Sequence, residues 1–448
     1  MDRKVAKPMA IHQAPHHQAD SVAVRHGNRG WVLGMLCFVY VLNFLDRQLV
    51  SILAKPIQDG LQITDSQLGY VTGFYFALFY CFIAIPVGWL ADRSNRVKIL
   101  SLACGLWSGA TIACGMAGNY SQLAGARMAV GIGEAGGVPP SYAIISDTFP
   151  REQRGTAMGI FNLGPPLGSA LGVAFGASLA ATYDWRVPFY AVGAIGVLTA
   201  LLVYFFVPEP VRGRFDPAPI AGARPEPSFG QAIIGFFTNK MLAVAALASG
   251  AANFITYGMA NFATLFLMRE KGMTLDEVAI WYALAVGLGM GTGIFVSGKL
   301  IDRYAVRSTA AYATIPALSL VLALPFFLAF VAADRWEVAL ALLFVPLFLN
   351  SFFLPATVTF IQSEVAPSVR VISGALLLLV MNLVGLGLGP TFVGIASDFF
   401  RPDYHEHSLQ MAFYALAPMY LIAASLFLWL ARLIRRSSPS SAAGARLK

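Results

Sequence analysis

Twelve stretches of this chain are each long and apolar enough to cross a bilayer as a helix, which takes about 20 residues. They run near 31–53, 67–90, 97–117, 121–146, 156–181, 187–207, 239–267, 275–298, 309–332, 337–362, 371–397 and 408–434. In hydrocarbon every backbone N–H and C=O needs a partner within the protein, so only helices and closed barrels can span. Barrel strands alternate apolar and polar residues, whereas these runs are continuously apolar. The fold class is therefore an all-α membrane protein with twelve transmembrane helices. Only 12% of residues are charged, about half the fraction of a soluble protein. The net charge of +8 does not point to nucleic acid, because the basic residues cluster at the ends of apolar segments.

Those clusters predict an orientation. With a cytoplasmic N-terminus, the inner segments hold about 23 of the Lys and Arg residues and the outer loops about 6, in the sense of the positive-inside rule. Both termini are expected in the cytoplasm, and the membrane is expected to be the inner membrane of a cell. Residues 1–30 contain no apolar core for a cleavable signal, and Trp31 opens a full-length span. His12, His16, His17 and His26 lie in this polar tail without Cys or acidic partners at ligand spacing. A disordered tail is expected there, with no metal. The four cysteines fall within spans and show no CxxC pattern, as small packing residues would.

The prolines and arginines of residues 209–236 interrupt the apolar rhythm near the midpoint. On either side the chain repeats itself at a fixed offset of 210 residues. Gly88-Trp-Leu-Ala-Asp92-Arg93 answers Gly298-Lys-Leu-Ile-Asp302-Arg303, Asn43-Phe44 answers Asn253-Phe254, and Thr64 answers Thr274. The expected organisation is a cytoplasmic tail (1–30), a six-helix bundle (31–208), a cytoplasmic linker (209–236), a second six-helix bundle (237–434) and a second tail (435–448). Parallel repeats of this kind suit a carrier that rocks about a central site.

Gly88, Asp92, Arg93 and Arg96 sit between the second and third spans, with Asp302 and Arg303 at the matching place in the second half. A glycine lets helices approach, and an aspartate can cap the next helix or pair across the bundles. These six residues are the candidate cytoplasmic gate. The motif resembles the loop signature of the major facilitator superfamily, which implies the major facilitator fold; Asn95 stands where that family usually has Gly.

Three ionisable residues lie deep in the first half: Asp46 in the first span, and Arg127 and Glu134 in the fourth. Charge at the bilayer centre costs roughly 2.5–3.5 kcal/mol on insertion scales, so such groups face the interior with partners. At a rise of about 1.5 Å per residue, Asp46 and Arg127 fall at similar depth, and Glu134 lies about 10 Å further along nearly the same face. Asp46 and Glu134 are the candidate proton carriers, and Arg127 the cation that switches partners or meets substrate. Arg47, about 100° round the helix from Asp46, is expected to point elsewhere. The candidate cavity-lining residues are Asn43, Asn253, Thr256, Asn350, Ser351 and Asn382. Charge on one wall and apolar surface on the other suit an amphiphile. The Gly-Pro-rich runs 159–172 and 385–390 permit close packing and a bend.

Asn43-Phe44-Leu45-Asp46-Arg47, then Arg127-x-x-x-Gly131-x-Gly133-Glu134-Ala135, Asp147-x-Phe149, Gln153-Arg154 and Pro166-x-Gly168, resemble the spinster-type branch of that superfamily over roughly residues 40–175. The resemblance implies a bacterial, proton-linked carrier working by alternating access, with Asp46 and Glu134 protonated in turn and Arg127 beside the substrate path. Animal members are associated with sphingoid phosphates and lysophospholipids, which makes a lipid-like substrate the expectation. A symporter or drug antiporter for small organic ions is the alternative. No His lies within a span and no HExxH-like pattern occurs, so an enzyme is not expected. Nor is a cofactor other than the proton gradient. The expected partners are the lipid bilayer, a small amphiphile and protons, with the chain acting as a monomer.

Overall fold

The computed structural model describes residues 29–213, 215, 229–366 and 369–437. Nearly all of the two expected tails, the four N-terminal histidines and most of the linker lie outside these residues. All regular structure among the described residues is helical.

Twelve crossings follow one another: α1 (Arg29–Ile52), α2 (65–93), α3 (Arg96–Met116), α4 (120–148), α5 (151–182), α6 (Arg186–Phe206), α7 (Lys240–Arg269), α8 (Leu275–Ala305), α9 (Ala311–Ala332), α10 (Trp336–Glu364), α11 (370–404) and α12 (408–437). Ten stretches meet the length and hydropathy of a membrane span. The last of them, Ile372–Ser437, holds both α11 and α12. α4 is absent from the ten because a turn at 135–137 splits it into Tyr120–Glu134 and Val138–Thr148. Large apolar side chains such as Phe82, Leu102, Phe205, Phe295, Leu318 and Phe399 point outward from the helices, as lipid-facing residues do.

α1–α6 pack mainly with one another, as do α7–α12, and the two sets meet through α2 with α11, α5 with α8, and α1 with α7. The 210-residue repeat is visible in backbone detail. Gln62 (φ 51°) and Gly272 (φ 75°) both turn through the left-handed region, two residues ahead of Thr64 and Thr274. Each threonine then caps its helix through a reciprocal capping box, with Gln67 in one case and Glu277 in the other. A π turn follows in both, at Tyr70–Phe74 and Val278–Tyr282. A third π turn, Met381–Gly387, falls in the glycine-rich run of α11, and α5 is interrupted between Phe161 and Gly164.

A helix, Phe229–Thr238, occupies the end of the expected linker. The prolines that oppose a helix stop at Pro227, and the residues beyond it are mostly apolar.

The start of α1 and the end of α12 define a terminal face; the other end of the molecule is the opposite face. At the opposite face the bundles are stitched together. α2 and α11 approach so closely that a Cβ on Gly69 would meet the Pro390 carbonyl oxygen at 2.7 Å, and the Thr391 hydroxyl bonds the Gly69 and Gly387 carbonyls. The cross-bundle hydrogen bonds of the described residues sit at mid-depth or on this side. None of these bonds lies at the terminal face.

Candidate functional site

Glycines bring α4 against its neighbours. A Cβ on Gly131 would strike the Phe76 carbonyl oxygen of α2 at 2.7 Å, and one on Gly133 the Trp107 amide of α3 at 2.6 Å. The close approach places the α4 charges beside those of α1. Arg127 Nη1 lies 3.9 Å from Asp46 Oδ2, with both side chains at 2% exposure or less. The pairing expected of Asp46 and Arg127 is therefore present as a long, buried contact.

The placement expected of Arg47 is corrected. Its Nε donates to Glu134 Oε2 at 2.5 Å, so the buried site is two pairs and not a trio. The long stem lets the guanidinium reach α4 from 100° round α1. Aromatic faces guide it: Phe44, Phe76 and Tyr80 have ring centres 4.9, 5.0 and 5.1 Å from its central carbon. Phe76 also carries Arg127 at 5.1 Å. One ring thus touches both cations, and cation–π attraction of this kind gains strength when the site is desolvated.

The pairs are incompletely satisfied. Both Asp46 carboxylate oxygens, Glu134 Oε1, and Arg127 Nε and Nη1 are buried without a hydrogen bond. A desolvated pair is favourable only when its geometry is excellent and its remaining donors and acceptors are filled. Arg47, at 10% side-chain exposure against 0–2% for the other three, is the member nearest solvent.

The candidate cavity residues divide. Asn43 is buried, with Oδ1 unpartnered beside a crevice lined by Tyr40, Trp107, Ser141 and Phe161. Thr256 is half-buried and bonds back to Ala252, and Asn382 is half-buried in the π turn of α11. Three are corrected to packing roles in this conformation. Asn253 donates to the Met381 carbonyl at 2.9 Å, Asn350 to the Tyr420 hydroxyl at 2.9 Å, and Ser351 to the Leu347 carbonyl. A helical wheel gives a residue's face but not which neighbour covers it.

On the terminal face, Asn95 and not Asp92 caps α3, accepting from the Lys98 amide. Glu209 adds to the cap by accepting from the Arg96 and Val97 amides. Arg96 pairs with Asp147, whose other oxygen accepts from the Gly213 amide. Arg93 stacks on Trp89 within its own helix. Asp302 and Arg303 are exposed and form no ion pair among the described residues; the side chain of Asp92 lies outside them. The close approach expected at Gly88 is absent: nothing lies within 4 Å of a Cβ there or at Gly298. The close cross-bundle contacts, such as that of Gly69 with Pro390, lie toward the other end, so no neighbouring backbone is drawn against these two glycines. Asp147 and Glu209 were not identified from sequence, although Asp147 falls within the matched α4–α5 motif.

A helical bundle duplicated about a charged central site, with its cross-bundle bonds gathered toward one end, is the architecture of a solute carrier. The chain belongs to the Major Facilitator Superfamily, which matches it over residues 36–368 and 246–447. It is 32% identical over 414 residues to an MFS-type efflux pump of Mycolicibacterium smegmatis, covering 91% of this chain and 94% of that one. It is 28% identical over 400 residues to spinster homolog 3 of Danio rerio, covering 82% and 76%. Among solved structures, a bacterial homologue of the human lysosomal transporter Spinster, in an inward-facing and unoccupied conformation, superposes with a TM-score of 0.85 at 29% identity, covering 92% of this chain and 99% of that one. Within its superfamily this multi-pass membrane transporter is spinster-like.

Proposed function

We propose that this transporter couples proton movement to an amphiphilic, lipid-like substrate of lysophospholipid or sphingoid type by alternating access. The observation that carries the reading is the doubled pairing of Asp46 with Arg127 and Glu134 with Arg47 on a shared Phe76. An anionic head group entering from the terminal face meets Arg47 first and draws it from Glu134. A buried carboxylate without its cation is then neutralised by a proton. Asp46 and Arg127 form the second, deeper stage of the same exchange. The aromatic surface of Tyr40, Phe44, Phe76 and Tyr80 offers the apolar body of the substrate a wall beside its charge.

The charge bias of the loops sets the orientation in this reading: both termini face the cytoplasm, the membrane is the inner membrane, and the terminal face is inward. The gradient alone drives a monomeric carrier without a cofactor. Transport of small organic ions, by symport or by drug antiport, is the second reading, favoured by the likeness to the mycobacterial efflux pump.

The test is proteoliposomes bearing the wild type or Asp46→Asn, with internal pH followed on addition of a lysophospholipid or a sphingoid phosphate. Proton movement that requires the lipid and disappears in Asp46→Asn is the expected result. Lipid movement that is unchanged in Asp46→Asn and without a gradient would overturn the coupling. Silence toward lipids, with proton movement on addition of small organic ions, would decide for the second reading.

A further inference from the structure

The central charges all belong to the first bundle, so they cannot by themselves hold the two bundles together. A different ion pair does. Arg269, the last residue of α7, reaches across to Asp65, the first residue of α2, through Nη1–Oδ1 at 3.0 Å and Nη2–Oδ2 at 2.9 Å. Among the described residues it is the one ion pair that joins the bundles. Asp65 is fully buried and Arg269 is 15% exposed at its side chain.

The surroundings reinforce the pair from the α11 side. The Ser397 hydroxyl donates to Asp65 Oδ2 at 2.6 Å. Asp398 accepts from the Asp65 and Ser66 amides at 3.2 and 2.8 Å, so the second bundle caps the first helical turn of α2. A Cβ on Gly394 would collide with the Asp65 carbonyl, which brings the two backbones into direct contact. A two-toothed guanidinium–carboxylate pair is specific in geometry as well as strong.

Each partner also keeps a bond within its own bundle. Gln58 donates to Asp65 Oδ1 at 2.6 Å, and Arg269 Nη2 lies 3.2 Å from the Ser408 hydroxyl. When the bundles part, neither charge is stranded. This distinguishes a contact built to open from one that only cements a core, where removing a partner leaves an uncompensated buried charge.

We propose that Asp65 and Arg269 form the latch of the opposite face, and that the strength of this pair sets how the carrier divides its population between open-terminal and open-opposite states. The inference rests on the alternating-access reading but not on the choice of proton or substrate. The energy to separate the bundles is then set mainly at a place distant from the charged site between α1 and α4. Substrate and proton act by shifting an equilibrium whose resting value the latch fixes.

The latch is tested by the accessibility of position 391, which lies in the seal at 8% exposure. Thr391→Cys is introduced after Cys37, Cys81, Cys104 and Cys114 are changed to alanine, and the protein is placed in nanodiscs, where both faces meet solvent. The rate of reaction with a bulky maleimide is then read without substrate or gradient. Asp65→Asn and Arg269→Gln are each expected to raise that rate on the order of tenfold, as a shift of about 1.4 kcal/mol in a two-state population does. The double variant is expected to add little beyond either single one, since both remove the same interaction. A parallel protein retaining only Cys104, buried inside the first bundle, reports general loosening and is expected to stay protected. An unchanged rate at position 391 would overturn the latch, as would rates that multiply in the double variant or rise equally at Cys104. Because no transport is measured, failure of the lipid or proton reading leaves this result intact, and the reverse also holds.

Discussion

The Ser51 hydroxyl donates to the Asn261 side-chain oxygen at 2.5 Å, and the two residues stand 210 positions apart. The hydrogen bond therefore joins equivalent sites of the two repeats, on α1 and α7, across the seam between the bundles. Both groups are buried, and Asn261 is held in place by its own bond to the Tyr257 carbonyl. Ser51→Ala leaves a buried acceptor without a donor, at a cost of about 1–3 kcal/mol. In the alternating-access reading the bond is lost when the opposite face opens, so the loss falls on the closed state. Spin labels across the opposite face should show a larger long-distance population in Ser51→Ala than in wild type. Asn261→Ala should recover part of it in the double variant, because no acceptor then remains unpaired.

That contact also shows what the sequence conceals. The repeat at 210 residues, with its matched threonines, and the intramembrane charges were legible because each is a local pattern with a physical reason to recur. Thr64 and Thr274 cap helices by rules that operate within four residues. Partnerships between helices distant in the chain were not legible. Nothing along the chain joins Asp65 to Arg269, or Asn350 to Tyr420, until two helices are laid side by side. Arg47 was misplaced for a related reason: helical geometry fixes where Cβ points, whereas a guanidinium on three methylenes goes where aromatic faces and an acid receive it. The gate motif was recognised from Gly88 and Arg96, yet its bonds run to Asp147 and to the chain after α6, which only the folded bundle brings near.

The Arg47–Glu134 pair should respond unequally to single and double neutralisation. Removing one member of a buried pair strands the other, at a cost of about 3–5 kcal/mol. Glu134→Gln or Arg47→Gln alone should lower the melting temperature of the purified protein clearly. Glu134→Gln combined with Arg47→Gln should melt nearer to wild type, because no uncompensated charge remains. A double variant that melts at the summed loss of the two single ones would show that the two side chains are not energetically coupled.

At the opposite face, Glu270 should make stability depend on pH. Burial pushes its carboxyl from the ordinary 4.5 up to about 7, against the pull of Arg269 and of the Gln410 and Leu409 amides. Between about pH 4.5 and 7 the folded protein holds a proton that the unfolded chain has released. Stability contributed by this group therefore falls as pH rises through that window. Thermal melts of wild type across pH 4.5–8 should show this slope on the background of the other groups, and Glu270→Gln should flatten it.

Asp147 carries the last prediction. Its carboxylate is 7% exposed and serves two partners at once, the Arg96 guanidinium and the Gly213 amide. It thereby ties the start of α3 and the end of α4 to the chain leaving α6, where Glu209 caps α3 and Arg212 bonds the Ala91 and Ser94 carbonyls. Asp147→Asn keeps the shape and one acceptor oxygen but discards the charge that faces Arg96. Asp147→Ala discards both bonds. Loss of a charge-assisted hydrogen bond costs roughly 1.5–3 kcal/mol, so the melting temperature should fall in the order wild type, Asp147→Asn, Asp147→Ala. Arg96→Ala should bring the same loss as Asp147→Asn, and the double variant should add little to either. All of these bonds lie within the first bundle and the chain that leaves it, so accessibility at the opposite face should stay at its wild-type level in every one of these variants. A change there would mean that this cluster steers the equilibrium between the two faces and does more than brace the first bundle.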